Sequence, residues 1–161
     1  MPISKRHLSN RTSAVISLVL ALSLIPALLF VLWWLPDVVD AMLSIPDNLG
    51  NRAEMQEWER TAVLLTAYLI VFVAFVTVGF LITLLRLTLT EAIFSQTALL
   101  VLRALSLCCF AIGLLFCYVG FYFQLAFCVM LAAFCLGVSL RVVKNVIAEA
   151  MRLKSENDLT I

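Results

Sequence analysis

The chain has 161 residues, 64% of them hydrophobic and 13% charged, with a net charge of +1. Globular domains are roughly half apolar and a quarter charged, so this composition excludes a soluble globule and indicates an integral membrane protein. It has no basic stripe of the kind that follows a nucleic-acid backbone, which excludes direct nucleic-acid binding.

A bilayer core takes about 20 mostly apolar residues per helical crossing. The first such stretch, Ala14 to Leu35, follows a basic segment carrying Lys5, Arg6, His7 and Arg11. Its 22 uncharged residues exceed the 7–15-residue core of a signal peptide, and "LWWLPDVV" offers no cleavage site between small residues, so it reads as a retained helix over 14–36. The 37–60 segment is an acidic loop. It holds Arg52 and Arg60 against Asp37, Asp40, Asp47, Glu54, Glu57 and Glu59, with Pro46, Gly50 and Asn51 as turn signals. Residues from Arg52 to Arg60 favour helix, so the second crossing, 61–86, is expected to start as an aqueous helix ahead of Trp58. In the inner connection Thr88 and Glu91 stand at capping-box spacing, and Ser95 is placed to cap the third helix.

Ala104 to Leu140 is uncharged over 37 residues. One helix of that length would run about 55 Å against a hydrocarbon core of roughly 30 Å, so the segment must turn back. "GFYFQ", Gly120 to Gln124, is the break, giving a third crossing at 98–120 and a fourth at 124–146. Cys109, Gly113 and Cys117 recur every four residues on the third helix, and Ala133 and Gly137 on the fourth. Small residues at this spacing let backbones approach closely in lipid, so these two helices are expected to form a tight antiparallel hairpin. The cysteines Cys108, Cys109, Cys117, Cys128 and Cys135 include no C-x-x-C pair and lie in apolar surroundings that disfavour the thiolate; packing is their expected role. Folding the hairpin at Tyr122 and Phe123 sets Cys117 level with Cys128, but usual helix spacing exceeds the reach of a disulfide. With one histidine and no aqueous carboxylates beside the thiols, no metal ligand set is expected; no cofactor and no catalytic residue is assigned.

The 147–161 tail continues the fourth helix. Val142, Val143, Val146, Ile147, Ala150 and Met151 form an apolar stripe opposite Arg141, Lys144, Asn145, Glu149 and Arg152. Such a projection lies on the membrane, packs under its own bundle or offers a face to a partner.

Nine of the eleven basic residues flank the N-terminal segment, the inner connection and the tail, so the positive-inside rule puts both termini in the cytosol and the 37–60 loop outside. Trp33, Trp34, Trp58, Tyr118 and Tyr122 all mark the outer interface. The expected architecture is an all-α membrane protein with four transmembrane helices, N-in and C-in, in a single domain over 1–161, with a cytoplasmic extension of the fourth helix. No ionisable residue lies at mid-membrane, where proton-coupled transport usually needs one.

"AIFSQTALLVLRAL" and above all the closing "VVKNVIAEAMRLKSENDLTI" resemble the bacterial membrane family called domain of unknown function 2975, over essentially the whole chain. The resemblance implies four helices in the bacterial cytoplasmic membrane and no enzyme activity. It also implies a regulatory role beside a small helix-turn-helix transcription factor held at the membrane. Candidate contacts for such a partner are Arg141, Lys144, Glu156, Asn157, Asp158, Leu159, Thr160 and Ile161. The alternative is a small exporter or an immunity protein against a membrane-active compound. The bilayer and a second copy of the chain complete the candidate partners.

Overall fold

The computed structural model describes the backbone of residues 3–44, 57–89 and 95–158, and side chains over 15–41, 58–89 and 95–157. All four elements are α-helices: α1 (Ile3–Ser44), α2 (Glu57–Leu89), α3 (Gln96–Gly120) and α4 (Ala126–Asp158). Each contains a stretch long and apolar enough to cross a membrane: Val15–Ala41, Trp58–Leu89, Gln96–Gly120 and Ala126–Asn157.

α1 is longer than the 14–36 crossing read from the sequence, in both directions. Its 42 residues include Pro26 and Pro36 within the helix, and Asp37 to Ser44, expected in the outer loop, form its last turns. Charge marks where a chain leaves hydrocarbon, whereas a helix ends where its backbone hydrogen bonds end. The two boundaries need not coincide, and lipid-embedded helices tolerate proline. α2 starts at Glu57, close to the expected aqueous start, and runs to Leu89. Thr88 therefore belongs to its last turn, donating its hydroxyl to Leu84 O at 2.8–3.0 Å like Thr66 to Ala62, Thr77 to Val73 and Thr83 to Gly79. This back-bonding satisfies hydroxyls that lipid would leave unpaired, and it takes Thr88 out of the expected capping box. Glu91, and the 45–56 part of the outer loop, lie outside the described residues.

Ser95 caps α3 as expected, its Oγ accepting from Ala98 N at 3.3 Å. The chain reverses at Phe121–Leu125, with Tyr122 N and Phe123 N both donating to Val119 O and Ala126 N to Phe123 O.

The helices pack in chain order. Among the described residues α1 touches α2, α2 touches α3 and α3 touches α4; α1 and α4 do not meet. Both are edge helices, and the start of α1 and the end of α4 lie at one end of the molecule. We call this the terminal end. The opposite end, where α1 finishes, α2 begins and α3 turns into α4, is the turn end. Trp33, Trp34, Trp58, Tyr118 and Tyr122 all fall toward it, and Trp33 is 87% exposed, as suits a ring that sits at a lipid headgroup boundary.

Candidate functional site

Two regions carry the features that the sequence singled out. The first is the α3–α4 hairpin with its extension. Gly113 faces the ring of Phe134, whose carbons lie 3.3 Å from where a Cβ would stand. Gly137 faces Phe110 in the same way at 3.2 Å, and Gly120 faces Phe127 at 2.9 Å. Each glycine is thus a socket for a phenylalanine from the other helix, and Phe110 and Phe134 pack against each other at 5.8 Å between centroids. The sequence pattern located two of the sockets but not the rings that fill them, because phenylalanine in an apolar run looks the same whether it meets lipid or helix. Ser106, 1% exposed, donates its hydroxyl to Gly137 O at 2.8 Å. No spacing rule pointed to this interhelical bond. Ala133 is buried beside the sockets, while Cys109 and Cys117 are half-buried and Cys128 and Cys135 exposed; all five cysteines are free thiols. Among the described residues no cluster of His, Cys, Asp and Glu assembles.

The guanidinium of Arg141 lies over the Phe110 ring, 5.3 Å from its centroid, so this cation is engaged with the hairpin. Lys144, Ile147 and Met151 are half-buried, whereas Val142, Val146 and Leu153 are exposed. Farther along, Arg152 pairs with Glu149 at 3.6 Å and Glu156 at 3.3 Å, an i,i+3 and an i,i+4 contact that support a solvated helix by a few tenths of a kcal/mol each. Glu156 and Asn157 are exposed on the last turn, and Asp158 closes the helix. Leu159, Thr160 and Ile161 lie outside the described residues.

The second region was not foreseen. At the turn end, α1, α2 and α3 leave a cleft of about 230 Å³ with a wholly apolar lining, formed by Val31, Leu35 and Val39 of α1, Val63, Ala67 and Val71 of α2, and Phe116, Val119 and Tyr122 beyond. Arg60 closes one side of this end with a bidentate contact to Asp40, both nitrogen–oxygen distances being 2.7 Å. Tyr122 Oη lies 3.5 Å from Tyr118 Oη. The pKa of Tyr122 is pushed up to about 12, first by this hydrogen bond, then by desolvation, then by the charge of Tyr118 and least by that of Glu59.

No curated protein and no solved structure matches the chain. One family model does, over residues 42–161, which takes in α2, α3 and α4 but only the last three residues of α1. The match is therefore shorter at its N-terminal side than the whole-chain resemblance suggested by the sequence. It covers the whole hairpin and its extension. The chain belongs to the family described as protein of unknown function (DUF2975).

Proposed function

We propose that the protein is a non-enzymatic regulatory component of the bacterial cytoplasmic membrane that binds a cytoplasmic transcription factor through the terminal end of α4. The observation that carries this reading is the continuity of α4. Its 33 residues run about 50 Å, roughly 20 Å more than a hydrocarbon core needs, and remain helical through Asp158. The Glu149–Arg152–Glu156 ladder supports that projection in water. In this reading it lies, with the N-terminal end of α1, on the cytoplasmic side, which the bias of Lys and Arg toward these segments supports.

Lys144, Glu156, Asn157 and Asp158, with Leu159, Thr160 and Ile161 beyond them, form the contact in this reading. Arg141 supports it from the hairpin by holding α4 against Phe110. The partner is a helix-turn-helix regulator, the class implied by the sequence resemblance. Deleting Glu156 to Ile161 tests the proposal: a co-expressed regulator that sediments with membranes carrying the full chain is expected in the soluble fraction after the deletion. Identical fractionation with and without the six residues contradicts it.

A further inference from the structure

α4 carries two seams of the same spacing on roughly opposite sides, because positions two residues apart on a helix lie about 200° apart. On the first, Met130, Ala133, Gly137, Leu140, Lys144 and Ile147 follow one another in alternating steps of three and four residues, and all are buried or half-buried. This seam holds α3, as Phe110 against Gly137 and the Ser106 hydroxyl on Gly137 O show. On the second, Cys128, Ala132, Cys135, Ser139, Val142 and Val146 keep the same steps without a break, and all are exposed. The spacing continues through Glu149 to Leu153, also exposed. Among the described residues α4 packs on α3 alone, so no described helix covers the second seam.

Within the bilayer this seam is a groove between ridges. Cys128, Ala132, Cys135 and Ser139 are small, while Leu131, Leu136 and Val138 beside them are large and exposed. The Ser139 hydroxyl donates to Cys135 O at 2.8 Å and is satisfied within the helix. Toward the terminal end Val142, Val146 and Leu153 take over with larger apolar side chains, and Leu153 lies past the hydrocarbon, where no acyl chain can cover it. The occupant must therefore be a helix that crosses the bilayer beside α4 and leaves it on the same side. A second α4 meets both conditions. Two copies inserted the same way round are related by a twofold axis along the membrane normal, which sets α4 parallel to its counterpart and in register. Small residues then meet small ones where close approach drives association in lipid, and valine and leucine meet their own kind beyond it. Glu149 is the charged residue of the seam, and Arg152, 3.6 Å away on the same helix, brings the balancing charge.

We infer that this seam joins two copies of the chain through a parallel contact between their α4 helices. The inference goes beyond the regulator contact and stands without it: deleting Glu156 to Ile161 is expected to leave the pairing intact.

The test uses the full chain in proteoliposomes. Copper phenanthroline is expected to convert a variant that keeps Cys135 as its sole cysteine into a disulfide-linked dimer on a non-reducing gel. Variants that keep only Cys109 or only Cys117, both on α3, are expected to stay monomeric. In two-colour energy transfer at varied protein-to-lipid ratio, Ala132→Trp is expected to raise the dissociation constant about tenfold, the order of overpacking one close contact, while Leu29→Trp on the exposed surface of α1 leaves it unchanged. Val146→Glu serves as a second variant of the seam; both positions are exposed, so neither change disturbs the packing on α3. Energy transfer no greater than random mixing gives at the same lipid ratio, equal cross-linking through Cys135 and Cys117, or indifference of the transfer to both Ala132→Trp and Val146→Glu would overturn the assignment.

Discussion

The α3–α4 hairpin and the α1–α2 pair are built from nearly the same residues and packed by different rules. In the hairpin, three glycines receive three phenylalanine rings and a buried serine bonds across to a main-chain carbonyl. In the α1–α2 pair the Asp40–Arg60 ion pair sits at the edge, and the facing surfaces leave a cleft that α3 only partly closes. In lipid, apolar surface gives no preference for helix over acyl chain, so association depends on close fit and on hydrogen bonds. Where ring meets glycine the helices lock. Where valine meets valine beside alanine, they leave room.

The largest effect is expected from forcing the hairpin apart. Gly137→Leu would drive a side chain into Phe110, already 3.2 Å from the Cβ position, and should cost about 2–3 kcal/mol in reversible unfolding in micelles. A loss within error would mean that the ring swings away freely and that the hairpin is no tighter than its neighbour. Ser106→Ala removes the interhelical hydrogen bond and should cost about 1 kcal/mol by the same measurement, within the range for such bonds in membranes.

Breaking the Asp40–Arg60 contact should matter less. Both groups are about half exposed, and Asp40→Asn is expected to lower stability only at low ionic strength, the difference vanishing in 1 M salt. The smallest effect is at Tyr122. Because its folded pKa lies at about 12 against an ordinary value near 10, the stabilisation it brings is complete below pH 10 and fades as pH rises through 12. Ultraviolet titration should show one tyrosine ionising near pH 12, and Tyr118→Phe should bring it back toward 10.

Much of the fold was legible because lipid imposes a length on each helix and a place on each charge. The four apolar runs, the reversal after Gly120 and the Ser95 cap follow from those constraints. The extent of α1 did not follow, since Pro36 and Asp37 resemble a loop signal and yet sit inside a continuous helix. Gly113 and Gly137 stood out as small residues at a regular spacing, but Phe110, Phe134 and Ser106 did not, because hydropathy cannot separate a lipid-facing side chain from a helix-facing one. The cleft was illegible for the same reason. Its lining is aliphatic side chains of three separate helices with the rings of Phe116 and Tyr122, and only their assembly reveals the space between them.

The contrast between the two halves can be tested with one substitution in each. Leucine placed at Gly113 meets Phe134 at contact distance, whereas leucine placed at Ala67 enters the cleft. Reversible unfolding of the two variants side by side is predicted to show Gly113→Leu destabilised by about 2 kcal/mol and Ala67→Leu unchanged or more stable than the parent. Equal destabilisation of both would contradict the account, because it would mean that α1 and α2 close over Ala67 as tightly as α3 and α4 close over Gly113.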